Sequence, residues 1–167
     1  MKKLKNKIIL TGISLLLAAG AFQLWNSDPR TVPDLNVKTI SNKTIHFQQL
    51  KGQVILVIFW ATNCPACVEE IPDLIRLYQQ FHDQRLEIIA INMPYDIPSH
   101  VVAMQKQLNI PYDIVLDLKG EAVKAFGNIQ LTPTSMVIDK NGLIVEQKTG
   151  RFVFKALQSR IRDLIKS

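Results

Sequence analysis

Two stretches of mainly apolar residues, 54–60 and 86–92, predict the central strands of a sheet. Apolar residues at consecutive positions are typical of strands that are buried on both faces. Between these stretches, in residues 64–84, apolar side chains recur at the spacing of one helix face. Pro72 lies inside this pattern and is predicted to kink the helix. The residues of the predicted core face are Ile71, Leu74, Ile75, Leu77, Tyr78 and Phe81.

Shorter patterns on both sides complete the predicted secondary structure. Residues 98–108 predict a helix, and Asn141-Gly142 is a strong hairpin signal between the last two strands. Strands and helices in alternation, followed by an antiparallel hairpin and a final helix, indicate a layered α/β domain with a mixed sheet. The helix over 98–108 is expected to bury Val101, Val102, Met104 and Leu108. The remaining predicted elements are strands at 37–40, 44–47, 113–116, 134–139 and 143–148 and helices at 120–126 and 152–165.

The N-terminus carries a separate signal. Four lysines among the first seven residues precede residues 8–25, which contain no charged side chain. At 1.5 Å per residue this run would cover about 27 Å, enough for one membrane crossing, and the positive flank predicts export of the C-terminal remainder of the chain. We therefore expect residues 1–25 to be a membrane anchor, the alternative being a signal sequence cleaved near Ala19-Gly20-Ala21. Residues 26–34 are interpreted as a linker and residues 35–167 as one domain.

The charge of the chain is concentrated in that N-terminal segment. The net charge is +6, and the four lysines leave only +2 for the rest of the protein. A phosphate-binding surface is therefore not indicated, and we expect no nucleic-acid partner. An exported domain would lie in an oxidising compartment, where cysteine pairs form disulfides.

The two cysteines of the chain form the motif Cys64-Pro65-Ala66-Cys67, directly after the first apolar strand and at the start of the predicted helix. Free N–H groups and the helix dipole favour a thiolate at a helix N-terminus, so Cys64 is the expected nucleophile and Cys67 the resolving thiol. Two alternatives remain open at this point. A structural disulfide this short would constrain little of the unfolded chain. A zinc site would need further ligands from His46, His82 and His100, which are scattered singly.

Residues 59–67, Phe-Trp-Ala-Thr-Asn-Cys-Pro-Ala-Cys, together with Pro72 and Thr132-Pro133-Thr134, resemble a thioredoxin-fold protein. The resemblance is closer to the membrane-anchored thiol-disulfide oxidoreductases of the TlpA/ResA/DsbE type. It implies a thioredoxin-like α/β fold whose central mixed β-sheet is flanked by helices. It also implies an N-terminal β-hairpin extension and a central insertion, here residues 93–112.

The resemblance also implies roles for individual residues. Pro133 corresponds to a cis-proline that faces the disulfide, and the backbone of Thr132 would then pair with an extended substrate segment. Glu70 corresponds to an acidic residue near the active site, the alternative being an ordinary acid in the first turn of a helix. Trp60 is expected either to contact substrate or to lie in the core.

The chain departs from the pattern of this family at two positions. Ile58 stands where thioredoxins carry a buried Asp that moves protons to the resolving thiol, so that role is vacant or passes to Glu70. Asn63 replaces the aromatic residue that usually precedes the first cysteine. An apolar contact is thereby lost from the substrate-facing rim.

These features predict an extracytoplasmic thiol-disulfide oxidoreductase, in the reducing direction by resemblance, for example in cytochrome c maturation. The alternatives are an oxidase or isomerase that uses the same two thiols, a peroxidase, and a non-catalytic metal-binding module. The expected chemistry needs no cofactor and no metal. The expected partners are exported proteins that carry disulfides, a membrane electron donor and the membrane itself, and the chain is expected to be a monomer.

Overall fold

The computed structural model describes residues 30–167, which fold around a five-stranded mixed sheet. Its strands are β3 (Val54–Trp60), β4 (Leu86–Asn92), β5 (Asp113–Leu116), β6 (Thr134–Ile138) and β7 (Ile144–Thr149). They lie in the order β5-β4-β3-β6-β7, in which β3, β4 and β5 run parallel and β6 and β7 continue the sheet in antiparallel pairs. The predicted mixed sheet is confirmed.

The central strand β3 separates two hydrophobic cores. All seven of its residues are buried, because helices cover one face of the sheet and a hairpin with a short helix covers the other. Leu56 and Ile58 face the first core, while Val57 and Phe59 face the second. The continuous apolar run therefore reflects burial of both faces.

Helices α1 (Pro65–Phe81), α2 (Pro98–Gln107) and α4 (Phe154–Lys166) contribute to the first core, and the short α3 (Glu121–Ala125) to the second. Helix α1 continues through the exposed Pro72 and ends three residues before the predicted boundary. It ends there because residues His82–Gln84 tighten into a 3₁₀ turn. Arg85 then takes a left-handed conformation with φ 75°.

The predicted N-terminal hairpin is confirmed. Strands β1 (Asn36–Lys38) and β2 (Thr44–His46) pair antiparallel as a separate two-stranded sheet. Alternate residues of the hairpin point inward, and Val37 and Ile45 pack into the second core. A bridge between Thr39 and Val115 joins the hairpin to β5 at the edge of the main sheet.

Residues 93–112, the predicted insertion, connect β4 to β5 and contain helix α2. Val101 is fully buried as predicted, but the prediction that Leu108 points inward is wrong, because Leu108 is 36% exposed. The helix ends at Gln107, and the chain then reverses through Asn109, which has a φ of 49°. Ile110 is buried after this turn in place of Leu108.

The start of the described chain lies against the domain. Thr31 forms an antiparallel bridge with Leu143, and the N–H of the buried Val32 donates to the carbonyl of Gly142 at 2.8 Å. These residues belong to the predicted linker. The predicted anchor or signal sequence, residues 1–25, lies outside the described residues. Among residues 30–167 we find no helix with the length and apolar character that a membrane crossing requires.

Candidate active site

Cys64 and Cys67 form a disulfide at the point where β3 passes into α1. Strand β3 ends at Trp60, residues 61–63 form a turn, and Cys64 is the N-cap residue of α1. The backbone N–H of Cys67 donates to Sγ of Cys64 at 3.2 Å, so the helix N-terminus points at this sulfur. Cys64 is partly exposed, whereas Cys67 is only 4% exposed.

This arrangement gives the two sulfurs different chemistry. In the reduced protein, the N–H groups and the dipole of α1 would stabilise a thiolate on Cys64. The accessible sulfur is therefore also the one with the electrostatic support for nucleophilic attack. Cys67, buried one turn further on, can be reached by Cys64 but not readily by a second protein.

Glu70 lies one helical turn after Cys67 and is 2% exposed. Its Oε1 accepts a hydrogen bond of 2.7 Å from the backbone N–H of Phe152, while its buried Oε2 has no hydrogen-bond partner among residues 30–167. Burial raises the pKa of Glu70 to about 6, although the Phe152 hydrogen bond and the charge of Arg151 act in the opposite direction. This carboxyl group can therefore gain or lose a proton near neutral pH.

Cys67 and Glu70 both line a small cavity of about 10 Å³. It is close to the minimum volume that holds one water molecule. Cys67, Glu70, Trp60 and Ile58 all contribute to its lining. Ile58, which replaces the buried Asp of thioredoxins, therefore faces the same space as Glu70.

Trp60 belongs to the first core and is 4% exposed. The two sequence-based alternatives for this residue were substrate contact and core packing, and the structure favours the second. Its indole Nε1 is buried and, within residues 30–167, has no hydrogen-bond partner. A continuous apolar strand gives no alternation from which this orientation could be predicted.

The Thr132–Pro133 peptide bond is cis, as predicted from the resemblance. Thr134 pairs with Phe59, so Pro133 lies beside the end of β3, from which the turn to Cys64 departs. Pro133 is buried, and its carbonyl accepts a hydrogen bond of 2.8 Å from the N–H of Gly150. Thr132 is partly exposed, and its pairing with substrate stays a prediction.

Sequence reasoning did not identify the loop that follows β4. Tyr95 and Ile97 are 58% and 52% exposed, and Asp96 between them binds Thr62 of the turn before Cys64. Leu131, which precedes Thr132, is 65% exposed. The topology could have identified this loop. The parallel strands β3 and β4 have their carboxyl ends at the same end of the sheet, so the segments that follow them lie close together.

The segment before α4 also reaches the site. The Arg151 guanidinium donates to Glu69 at 2.7 Å, next to the Phe152–Glu70 hydrogen bond. These two contacts hold the segment between β7 and α4 against the first turns of α1. Within residues 30–167 there is no group of three His, Cys, Asp or Glu side chains that could hold a metal ion.

Sequence comparisons with known proteins identify a family and relatives whose names indicate thiol-disulfide chemistry. Residues 30–147 match the model of the AhpC/TSA family. The chain is 28% identical over 171 residues to the thiol-disulfide oxidoreductase ResA of Bacillus cereus, covering 96% of this chain and 98% of the relative.

Solved structures show the same fold. A thiol:disulfide interchange protein of the thioredoxin family from Chlorobium tepidum is 25% identical with a TM-score of 0.76, covering 84% of this chain and 99% of that one. StoA from Bacillus subtilis is 27% identical with a TM-score of 0.66, covering 80% and 97%. The chain thus has a thioredoxin-like fold and belongs to the AhpC/TSA family, and with its Cys64–Cys67 pair and its ResA-type relatives it is a thiol-disulfide oxidoreductase.

Proposed function

We propose that this protein is a disulfide reductase that acts on exported proteins outside the cytoplasmic membrane, for example in cytochrome c maturation. The observation that carries the reducing direction is the buried carboxyl group of Glu70, which lines the same cavity as Cys67. The ResA-type relatives support the same kind of chemistry.

The reductive cycle has two exchange steps. The Cys64 thiolate attacks one sulfur of a client disulfide, forms a Cys64–client bond and releases the other client sulfur as a thiolate, which takes a proton from solvent. Cys67 then loses its proton and attacks Cys64. This forms the Cys64–Cys67 disulfide and releases the second client sulfur. The client gains two electrons, and a membrane donor with its own dithiol would return the pair to the reduced form.

Glu70 favours this direction for an electrostatic reason. Strong disulfide oxidants have a reduced form stabilised by a thiolate of low pKa. A carboxylate beside Cys67 acts in the opposite way, because like charges raise the thiol pKa and remove that stabilisation. The same carboxylate can accept the proton of Cys67 in the second step, since it is mostly ionised above about pH 6.

The surroundings of Cys64 suit a protein client. Tyr95, Ile97 and Leu131 are exposed on the loop after β4 and on the segment before β6. Both segments lie at the end of the sheet where β3 leads to Cys64. Exposed apolar side chains grouped around a reactive residue are typical of a surface that binds another protein. These three side chains can provide apolar contacts to a client. Asn63, which replaces the aromatic residue that usually precedes the first cysteine, cannot.

The reduction potential of the Cys64–Cys67 couple tests the direction. We expect a value near the reducing end of the known range, about −270 mV, when the full-length protein is equilibrated with thiol buffers of known ratio. A value near about −120 mV, typical of strong oxidants, would show that the protein acts as an oxidase.

Glu70→Gln provides the matched test of the proton step. We expect the second exchange step, measured as client release in a single turnover, to slow about 100-fold. In the unaltered protein this rate should rise as the pH passes through about 6, since Glu70 becomes a carboxylate there, and the variant should lose this rise. Glu121→Gln changes an exposed carboxylate on α3 that pairs with Lys119 and has no contact with Glu70, and it should leave the profile unchanged. An unchanged profile in Glu70→Gln would return Glu70 to a structural role.

The proposed location of the domain, on the exported side of the membrane, rests on the N-terminal sequence. Four lysines followed by the uncharged residues 8–25 predict an anchor with the domain on the exported side. We expect the full-length chain in the membrane fraction, with its domain accessible to protease from outside. A soluble exported form that begins near Phe22 would replace the anchor with a cleaved signal and leave the chemistry unaffected.

A further inference from the structure

The carboxylate of Asp96 is held by four hydrogen bonds close to the active site. The backbone N–H and the hydroxyl of Thr62 donate to it at 2.5 and 2.6 Å. The side-chain amide of Asn92 and the backbone N–H of Ile97 each donate at 2.7 Å. Asp96 is partly buried, and Asn92 is 2% exposed.

These bonds connect two segments that leave the same edge of the sheet. Thr62 is the middle residue of the turn between β3 and the N-cap residue Cys64, and Asp96 lies in the loop after β4. A third contact reinforces the connection, since the N–H of Met93 donates to the carbonyl of Trp60 at 2.9 Å. The turn before the nucleophile is therefore fixed to the loop that exposes Tyr95 and Ile97.

We propose that Asp96 is a positioning residue for Cys64, which acts through Thr62 to keep the sulfur over the N-terminus of α1. The backbone of Thr62 is two residues from Cys64, so a shift of this turn moves the sulfur away from the N–H of Cys67. The proposal rests on thiol-disulfide exchange at Cys64 and is independent of its direction.

Asp96 remains charged under the conditions in which the thiols react. Burial raises the pKa of Asp96, but the hydrogen bonds from Thr62, Asn92 and Ile97 outweigh this effect and bring the pKa below its usual value. The four contacts are therefore present across the neutral range, where hydrogen bonds to an ionised acceptor are the stronger kind.

Two effects of Asp96 on Cys64 oppose each other and can be separated. The negative charge alone would disfavour a thiolate on Cys64. The positioning effect favours that thiolate, because it keeps the sulfur near the helix N-terminus. Asp96→Asn removes the charge and replaces one acceptor oxygen by a donor. Thr62→Val removes only the hydroxyl contact and keeps both the charge and the shape of the side chain.

The experiment measures alkylation of Cys64 by iodoacetamide as a function of pH in the reduced full-length protein, with the modified residue identified by mass spectrometry. We expect Asp96→Asn to raise the apparent pKa of Cys64 and to slow alkylation at pH 6 about tenfold. Thr62→Val should act in the same direction with about a threefold effect. The effect of the double variant should not exceed that of Asp96→Asn by more than about twofold, because the Thr62 hydroxyl acts through its hydrogen bond to Asp96.

Asp117→Asn is the matched control, since this carboxylate accepts backbone hydrogen bonds from Ala122 and Val123 at the start of α3 and does not bind the turn. It should leave the alkylation profile unchanged even if it lowers the melting temperature. The ionisable groups near the cavity, Cys67, Glu70, Tyr112, Glu69 and Arg151, are the same in all these proteins. A lower Cys64 pKa in Asp96→Asn, or an unchanged pKa in both Asp96→Asn and Thr62→Val, would overturn the proposal. If Asp96→Asn does not fold, a raised Cys64 pKa in Thr62→Val supports the proposal, and an unchanged or lower one overturns it.

Discussion

Cys64→Ser is expected to abolish the reduction of protein disulfides, with a loss of at least about a thousandfold in dithiol-driven insulin reduction. A serine hydroxyl is not ionised at neutral pH and does not attack disulfides, whereas the Cys64 thiolate is supported by the N-terminus of α1. Cys67 remains in this variant, but it is 4% exposed and cannot take over the reaction with a protein client.

Cys67→Ser is the matched control, because it removes the other thiol of the same motif. Steady-state turnover should fall in both variants, so the informative measurement is the first exchange step. Cys67→Ser should still form a mixed disulfide with a reactive aromatic disulfide at nearly the unaltered rate, and Cys64→Ser should not. If Cys64→Ser formed the adduct and Cys67→Ser did not, the roles of nucleophile and resolving thiol would be reversed.

Much of the fold could be predicted because the strongest sequence patterns lie in its centre. Strands β3, β4 and β5 have the predicted limits, since most of their residues are apolar and buried against helices or the N-terminal hairpin. The ends of α1 and α2 differ from the prediction. They depend on Arg85 and Asn109 adopting left-handed conformations, which a hydrophobic pattern does not encode.

In the site, too, the residues that are close together in sequence could be predicted, and those that only the fold brings together could not. The CxxC motif and its helix are local in sequence, so Cys64, Cys67 and Glu70 could be identified as candidates, and the structure brings Glu70 to the cavity beside Cys67. Asp96 lies 34 residues from Thr62, and no local pattern connects them. The orientation of Trp60 likewise depends on which face of a doubly buried strand it occupies.

Cys67→Ser should also trap the physiological clients. The variant completes the first exchange step and lacks the thiol that releases the client, so the Cys64–client disulfide should persist. When the full-length variant is expressed in its own host, discrete bands should appear on a non-reducing gel and disappear on reduction. The same gel of the Cys64→Ser/Cys67→Ser double variant should lack these bands.

The pattern of adducts separates the remaining functions. A reductase with few clients should give one or two dominant bands, in which mass spectrometry finds exported proteins with a cysteine pair, and a client that carries a haem-attachment motif would support a role in cytochrome c maturation. A broad smear would contradict a dedicated reductase and indicate a general oxidase. The complete absence of adducts, with Cys64 still reactive towards iodoacetamide, would show that the pair does not act on protein disulfides. Because Tyr95, Ile97 and Leu131 are exposed on the segments next to the carboxyl end of β3, we expect the trapped clients to place apolar residues beside the reactive cysteine.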